Sequence, residues 1–413
     1  MVGQKRKRRW GWVALALTAS AGSPAGAEEP KVTLDAKGFS LRAGSNDEFE
    51  FHLGGRLHAD FGSGGSRAVS REFPDSADFR RVWIEPKIIF DKKLIFNLQY
   101  DPTSASTPIN NLFVSYKGFS PFILTGGNFK EPFSLEQLQS NNDTTFMERS
   151  LADTFTPSRN TGFAVAGRGE WWSLSAGVFG GNINSTVDKG GIAGTARATI
   201  APILTETEVL HLGVAGSYRS LNRAGPEQSF SSRPESFLFR TSLVDTGKIT
   251  DGRSVGRVGL EAAYANGPFR IQSEFMTVDV DRDFERSAVT FNGGYVYGAW
   301  VINGKGPKYS LDADDATEIG VFKRVEPESG QRVSRGGSGV FEFAARYSAV
   351  ELTSRNIRGG YQQDVTAGLN WYPEPFIRIM ANYVHAWADP TAAKVTGRAT
   401  QADIGQVRLQ IAF

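Results

Sequence analysis

The sequence predicts an all-β fold, a sixteen-stranded antiparallel transmembrane β-barrel. Three observations carry this prediction. The chain opens with an export leader. No later stretch approaches the roughly 18 consecutive apolar residues of a membrane-spanning helix. Segment after segment alternates apolar and polar side chains, which puts one face toward lipid and the other toward a polar interior. The 413 residues include 46 Gly, 29 Phe, 11 Tyr and 8 Trp, a composition suited to long strands carrying lipid-facing rings. Cysteine is absent, which excludes a disulfide framework, a Cys-ligated metal and thiol catalysis.

The leader comes first. Lys5, Arg6, Lys7, Arg8 and Arg9 precede Trp10–Leu17, and small residues then run to Ala25-Gly26-Ala27. A basic stretch, a short apolar stretch and an A-x-A site form a secretory signal peptide, residues 1–27. A membrane anchor would need about 20 apolar residues. Cleavage removes five of the 46 basic residues, leaving 41 against 44 acidic ones and a net charge of −3 instead of +2. Nothing in that balance points to nucleic acid. Residues 28–48 are polar, with Val32, Leu34, Phe39 and Leu41 marking short extended pieces, and form a short periplasmic N-terminal segment.

The barrel is expected over 49–413. In 49–61, Phe49, Phe51, Leu53, Leu57, Ala59 and Phe61 share one face, and Glu50, His52, Arg56, His58 and Asp60 the other. Further strands are predicted at 81–91, 93–101, 111–117, 122–129, 161–170, 171–180, 193–200, 209–218, 258–265, 268–279, 292–302, 339–351, 363–372 and 376–387. The last, 402–413, places Val407, Leu409, Ile411 and Phe413 opposite Gln406, Arg408 and Gln410. Sixteen is an even number, as an antiparallel bacterial barrel requires. Long connections are expected at 62–80, 130–160, 219–257 and 303–338. Aromatic pairs near strand ends, such as Trp171 and Trp172 or Tyr383 and Trp387, fit interfacial girdles.

Phe49–Leu57 followed by Phe79-Arg80-Arg81-Val82-Trp83-Ile84-Glu85 resembles the phosphate-selective porins O and P. So do Val209–Val214, Gly259-Leu260-Glu261 with Gly267-Pro268-Phe269, Gly368–Tyr372 and the Val407–Phe413 ending. The resemblance implies a homotrimer of outer-membrane barrels, set among lipid and lipopolysaccharide, passing small anions such as phosphate or polyphosphate. It further implies that lumen arginines and lysines relay anions to a narrow central site.

Candidate anion contacts follow. Alternation puts Arg81, Trp83, Glu85 and Lys87 on the lumen face; Arg80 then needs a strand end or a protein interior, because lipid-facing Arg costs about 2–4 kcal/mol at the midplane. Guanidinium suits phosphate through bidentate donation, although a polar lumen also explains such residues. The connection 130–160, rich in neutral donors and acceptors, is the candidate for a loop folded inward to constrict the pore. By the resemblance, Ser140 and Asn141 match a hydroxyl-rich pair there, while a lysine falls on Gln137 and an aspartate on Asn110. The connection 219–257 holds Arg219, Arg223, Arg233 and Arg240 and is net +3, a charge that would focus anions if it faced the pore. Arg233 and Arg240 match rungs of the family's arginine ladder, and Glu235 replaces another. Arg56 completes the lumen relay. The family's periplasmic-side lysines fall near Asp35, Lys37, Asp47 and His52, so only Lys37 keeps that charge.

His52 and His58 lie six residues apart on one strand, about 20 Å, too far to ligate one metal. No cofactor is called for. A barrel enzyme would need a serine and histidine within reach on one face, and His385, the only outward histidine, has no such serine. The expected function is therefore passive diffusion of small solutes, with anions favoured; the alternative is a weakly selective porin without phosphate specificity.

Overall fold

The computed structural model describes residues 30–35, 38–44, 48–66, 75–185, 191–221, 228–283, 286–389 and 401–413. The predicted leader, residues 1–27, and Lys37, Asp47 and Arg223 lie outside these residues. Sixteen strands close into one antiparallel barrel: β1 (Phe49–Ser66), β2 (Ser76–Phe90), β3 (Leu94–Tyr100), β4 (Ile109–Tyr116), β5 (Phe122–Lys130), β6 (Arg159–Arg168), β7 (Trp172–Phe179), β8 (Ala193–Leu204), β9 (Glu208–Ser220), β10 (Gly252–Asn266), β11 (Phe269–Arg282), β12 (Val289–Val301), β13 (Val340–Ser354), β14 (Ile357–Glu374), β15 (Ile377–Ala388) and β16 (Gln401–Ala412). Every predicted strand is present. Closure comes from β16 pairing with β1, from Ala402 opposite Ser66 to Ala412 opposite Arg56. A closed sheet has no edge left to pair with another chain.

The first strand is long because one of its edges serves two partners. Beyond β16, a hairpin of Lys31–Asp35 and Gly38–Ala43 continues along β1, with Phe39 opposite Leu53 and Ala43 opposite Phe49. Phe413 sits at the junction, exchanging backbone hydrogen bonds with Gly55 at 2.9 and 3.0 Å. Gly38 has φ 102°, and a Cβ there would meet the Leu53 carbonyl oxygen at 2.4 Å. Only glycine fits this close approach.

Antiparallel closure sorts the connections. Those after odd strands leave at the end away from the chain termini, and those after even strands leave at the terminus end. Outward aromatic side chains form a belt at each end: Phe122, Trp172, Phe269 and Trp300 near the termini, and Phe61, Phe79, Tyr218 and Tyr383 at the other. This is the girdle pattern of a membrane barrel.

Three long connections pack against the inward face of the wall. From the end away from the termini, 131–158 brings Phe133, Leu151 and Phe155 against Val278, Phe291 and Val350, and 228–251 adds Phe230, Val244 and Ile249 to the same cluster. From the terminus end, 302–339 packs Ala316 and Ile319 against Phe113, Phe129 and Phe179. The basic connection predicted at 219–257 is thus shorter. Arg219 belongs to β9, and Arg253 and Arg257 to β10. A register shift between Gly252 and Ser254 interrupts the alternation there and hides the start of β10.

Candidate functional site

The site starts from an irregularity in β2. His58 of β1 pairs with Arg81, but the next residue, Ala59, pairs with Phe79, so Arg80 is the extra residue of a β-bulge. Phe79 points outward and is 55% exposed, while Arg81 is 6% exposed on the inward face. The bulge lets two consecutive arginines avoid lipid, which regular alternation forbids.

Arg80 donates from Nε and Nη2 to the two carboxylate oxygens of Glu148, at 3.0 and 3.1 Å. Its guanidinium also lies over the Phe237 ring, 4.4 Å from the centroid. Glu148 accepts a further bond from Arg408 at 2.6 Å. Arg408 in turn holds Asp60 through two bonds of 2.6 and 2.7 Å. Burial works against ionisation of Glu148, yet Arg80, Arg408 and Arg81 outweigh it and hold its pKa well below the usual carboxylate range. Arg81 differs from its neighbour. Its hydrogen-bond partner is His58 Nδ1 at 3.4 Å, and it has no carboxylate within salt-bridge distance among the described residues.

The segment 131–158 is fixed at both ends of a one-turn helix, α1 (Leu135–Leu138). Glu274 of β11 accepts from the backbone N–H groups of Leu135 and Glu136 at 2.9 and 2.7 Å. The Lys130 ammonium donates to the carbonyls of Leu138 and Gln139, and Arg149 to those of Glu136, Gln137 and Gln139. These side chains satisfy helix-end groups that have no intrahelical partner. Gln137 is buried, and its amide oxygen has no partner among the described residues. Ser140 Oγ accepts from Arg56 at 3.5 Å and from the Asn142 N–H at 3.3 Å.

Ser140 and Asn141 line a cavity of about 190 Å³ together with Arg56, Glu85, Lys130 and Arg159. Arg56 is bound by both oxygens of Glu85, at 2.5 and 2.8 Å, and lies over the Trp83 ring. Asn110 is the bulged residue of β4. Its backbone carbonyl accepts from Asn128, and it is the neighbouring Asn111 that reaches the cavity and takes the Arg159 Nε–H at 2.6 Å. The cavity borders 302–339, which is tied to the wall by Lys87–Asp314 and Lys130–Glu318, both 2.8 Å.

The basic residues of the next connection take separate places. Arg219 pairs with buried Glu131 at 2.7 Å, and Arg240 with Asp78 at 2.5 Å. Arg233 is exposed and lines a cavity of about 380 Å³ with Arg80, Glu148, Arg149, Ser236 and Phe237. Glu235 is buried and binds Arg346 of β13. The predicted residues therefore form no single cluster: Arg80 and Arg233 share one cavity, Arg56, Ser140 and Asn141 another.

Sequence reasoning did not single out Arg346, Arg378 or Arg408, all buried inward arginines. Alternation in 339–351, 376–387 and 402–413 was the available signal for their direction. Arg346 and Arg408 bind carboxylates on connections, Glu136, Glu235 and Glu148, and charge counts cannot reveal such pairing across more than a hundred residues; Arg378 donates instead to the Thr144 carbonyl and to Gln410.

Comparison with known proteins adds the family. The model of the family described as phosphate-selective porin O and P matches residues 51–413. Porin O of Pseudomonas aeruginosa is 27% identical, over 93% of this chain and 94% of that protein. Among solved structures, an anion-selective porin from Comamonas acidovorans superposes with TM-score 0.54 at 11% identity, covering 89% of this chain and all of that one. The trimer form of OmpT, an outer membrane protein of Vibrio cholerae, superposes with TM-score 0.53 at 10% identity, covering 88% of this chain and 99% of that one.

Proposed function

We infer the function of this chain from one premise: it belongs to the phosphate-selective porin O and P family and is a porin of the Gram-negative outer membrane. Its role is passive diffusion of small anions, phosphate and polyphosphate among them, with the segment 131–158 as the constriction. One observation carries the reading. At the β2 bulge two adjacent guanidinium groups turn inward, and one of them, Arg81, is buried without a carboxylate partner among the described residues. Guanidinium supplies the planar, bidentate donation that phosphate oxygens take, and fixed charge lining a pore sets ion preference. Gln137, Ser140 and Asn141 supply neutral groups that replace part of an anion's hydration shell. Arg56, Arg219, Arg233 and Arg240 extend the cationic path, and the N-terminal residues 28–48 lie on the periplasmic side. A trimeric assembly is supported by the trimer form described for OmpT. No catalytic role is assigned.

A second reading, weak selectivity without phosphate specificity, draws on the pairing of lumen cations. Arg56, Arg80, Arg197, Arg346 and Arg408 each hold a carboxylate, which cancels much of their field. Reconstitution into planar bilayers separates the two. Under a potassium chloride gradient the reversal potential should take the sign of anion preference, and phosphate should block chloride current at lower concentration than sulfate does. Cation preference overturns the anion reading. Anion preference with equal block by phosphate and sulfate favours the second.

A further inference from the structure

Glu148 lies between Arg80 and Arg408 and binds both. Its two carboxylate oxygens take Arg80 Nε, Arg80 Nη2 and Arg408 Nη2, at 3.0, 3.1 and 2.6 Å, which is the bidentate-plus-one contact a phosphate would make. The second carboxylate of this cluster, Asp60, is fully buried behind Arg408, whereas the Glu148 side chain retains 16% exposure. Glu148 also borders the cavity of about 380 Å³, which Phe237 and Arg233 line as well. Its backbone is held separately: Arg346 donates to the Glu148 carbonyl at 2.9 Å, and Arg408 donates to the carbonyl of Met147. Departure of the side chain from the arginines would therefore leave these backbone anchors in place. If it leaves, Arg408 keeps Asp60, and Arg80 keeps only the face of Phe237. Arg81, which has no carboxylate within salt-bridge distance among the described residues, adds a third guanidinium near the vacated position.

We propose that Glu148 is a tethered anion that occupies the Arg80–Arg408 station, and that a permeating oxyanion of the phosphate class must displace it. The proposal rests on the anion-channel reading above and adds its specificity-determining residue. One anionic group departs as another enters, so the arginines stay paired throughout, and for monoanionic phosphate the charge at the station is unchanged. Affinity for phosphate is then set by competition with a carboxylate of fixed, high local concentration. The same competition explains how a pore rich in arginine would release its anion, since the returning carboxylate expels it.

The test uses the full-length protein reconstituted into planar bilayers, as wild type, Glu148→Gln and Glu148→Asp. Two quantities are read: the reversal potential in a potassium chloride gradient, and the inorganic phosphate concentration that halves chloride conductance. Glu148→Gln keeps shape and one acceptor but removes the competing charge. It should shift the reversal potential toward anions and lower the half-blocking phosphate concentration by roughly tenfold or more, as expected for removing like-charge repulsion at contact distance. Glu148→Asp, whose shorter arm spans the two arginines poorly, should fall between; it also serves if the Gln variant does not fold, in which case wild-type block from the Asp variant overturns the proposal. An anion-selective wild type with unchanged block in Glu148→Gln overturns the tethered anion and leaves the anion channel standing. A wild type without anion preference overturns the anion-channel reading and the proposal with it. Weaker phosphate block in Glu148→Gln makes Glu148 part of the anion's own site and overturns the proposal.

Discussion

The guanidinium of Arg346 on β13 lies 2.5 Å from the carboxylate of Glu235, which hangs from the connection between β9 and β10. Arg346 also binds Glu136 on the preceding inward connection at 2.9 Å, so one wall residue holds two connections that are far apart in sequence. Ser348 and Thr366 donate to the same Glu235 carboxylate, each at 2.5 Å. Breaking a buried pair by removing one member costs about 3–5 kcal/mol. Because Glu136 remains on Arg346, Glu235→Ala should cost about 3 kcal/mol, at the low end of that range, and the loss should fall on the connection and not on the barrel. Hydrogen exchange in detergent should show lost protection in 228–251 with β13 and β14 unchanged. Equal protection in the two proteins would mean that apolar packing of Phe230, Val244 and Ile249 holds the connection alone.

Arg56 and Arg81 both face inward, from paired strands β1 and β2, yet only Arg56 is neutralised, by Glu85. If uncompensated charge governs anion binding, the two should differ sharply on substitution. Arg81→Ala should raise the half-blocking phosphate concentration by about tenfold or more, since a hydrogen bond to a charged group contributes about 1.5–3 kcal/mol. Replacing Arg56 and Glu85 together, by Ala and Gln, should change it less than about threefold, because the two charges cancel at contact distance and their joint removal leaves the net field nearly unchanged. Dose-response curves of chloride current against phosphate measure both. Similar shifts would show that paired cations bind as well as unpaired ones.

The wall was legible in the sequence because each strand carries its own evidence. Phe49, Phe51 and Leu57 against His52, Arg56 and His58 disclose a strand without reference to any partner. The same is true of the ending at Val407, Leu409 and Phe413. The lumen was less legible for a physical reason: its contacts join residues that neither periodicity nor spacing relates. Glu148 lies 68 residues from Arg80 and 260 from Arg408. Asn110 fell at the position of a family aspartate, yet a bulge passes the cavity contact to Asn111. Arg253 and Arg257 read as a charged loop because a second bulge interrupts β10.

The tie between Lys130 and Glu318 gives an expectation for pH. Burial opposes ionisation of Glu318, but Lys130 and Lys323 outweigh it and depress its pKa from about 4.5 to about 2. A carboxylate depressed on folding contributes stability that is present above its unfolded pKa and is lost as pH falls through the folded value. The anchoring of 302–339 should therefore be intact at pH 5 and progressively weaker between about pH 4.5 and 2. Proteolysis of this connection after brief incubation at pH 5, 3.5 and 2, followed by return to neutral conditions with the protease under pulse control, should miss the effect if re-anchoring is fast. Hydrogen exchange at each pH reads it directly. Glu318→Gln should remove this contribution at pH 5 and flatten the pH dependence, whereas a profile identical to wild type would assign the anchoring to Ala316 and Ile319.

The bulge at Arg80 makes a prediction about deletion instead of substitution. Deleting a residue from a regular strand shifts the register by one and sends every side chain beyond it to the wrong face. Arg80 is the unpaired extra residue between His58–Arg81 and Ala59–Phe79, so its deletion restores regular alternation: Phe79 stays outward and Arg81 stays inward. The protein lacking Arg80 should assemble as a barrel and keep its heat-modifiable migration on gels. Deletion of Val82, two residues on within the regular ladder, should prevent assembly, because it drives either Arg81 or Trp83 and Glu85 toward lipid at about 2–4 kcal/mol for a charged group near the midplane. The shortened protein isolates what the bulge contributes. It loses the Arg80 contacts to Glu148 and Phe237 while the wall is unchanged, so Glu148 is left with Arg408. Phosphate block should weaken while the barrel's thermal stability stays close to wild type. Failure of both deletions to assemble would show that the bulge shapes the curvature of the wall between β1 and β2, and not only the direction of two arginines.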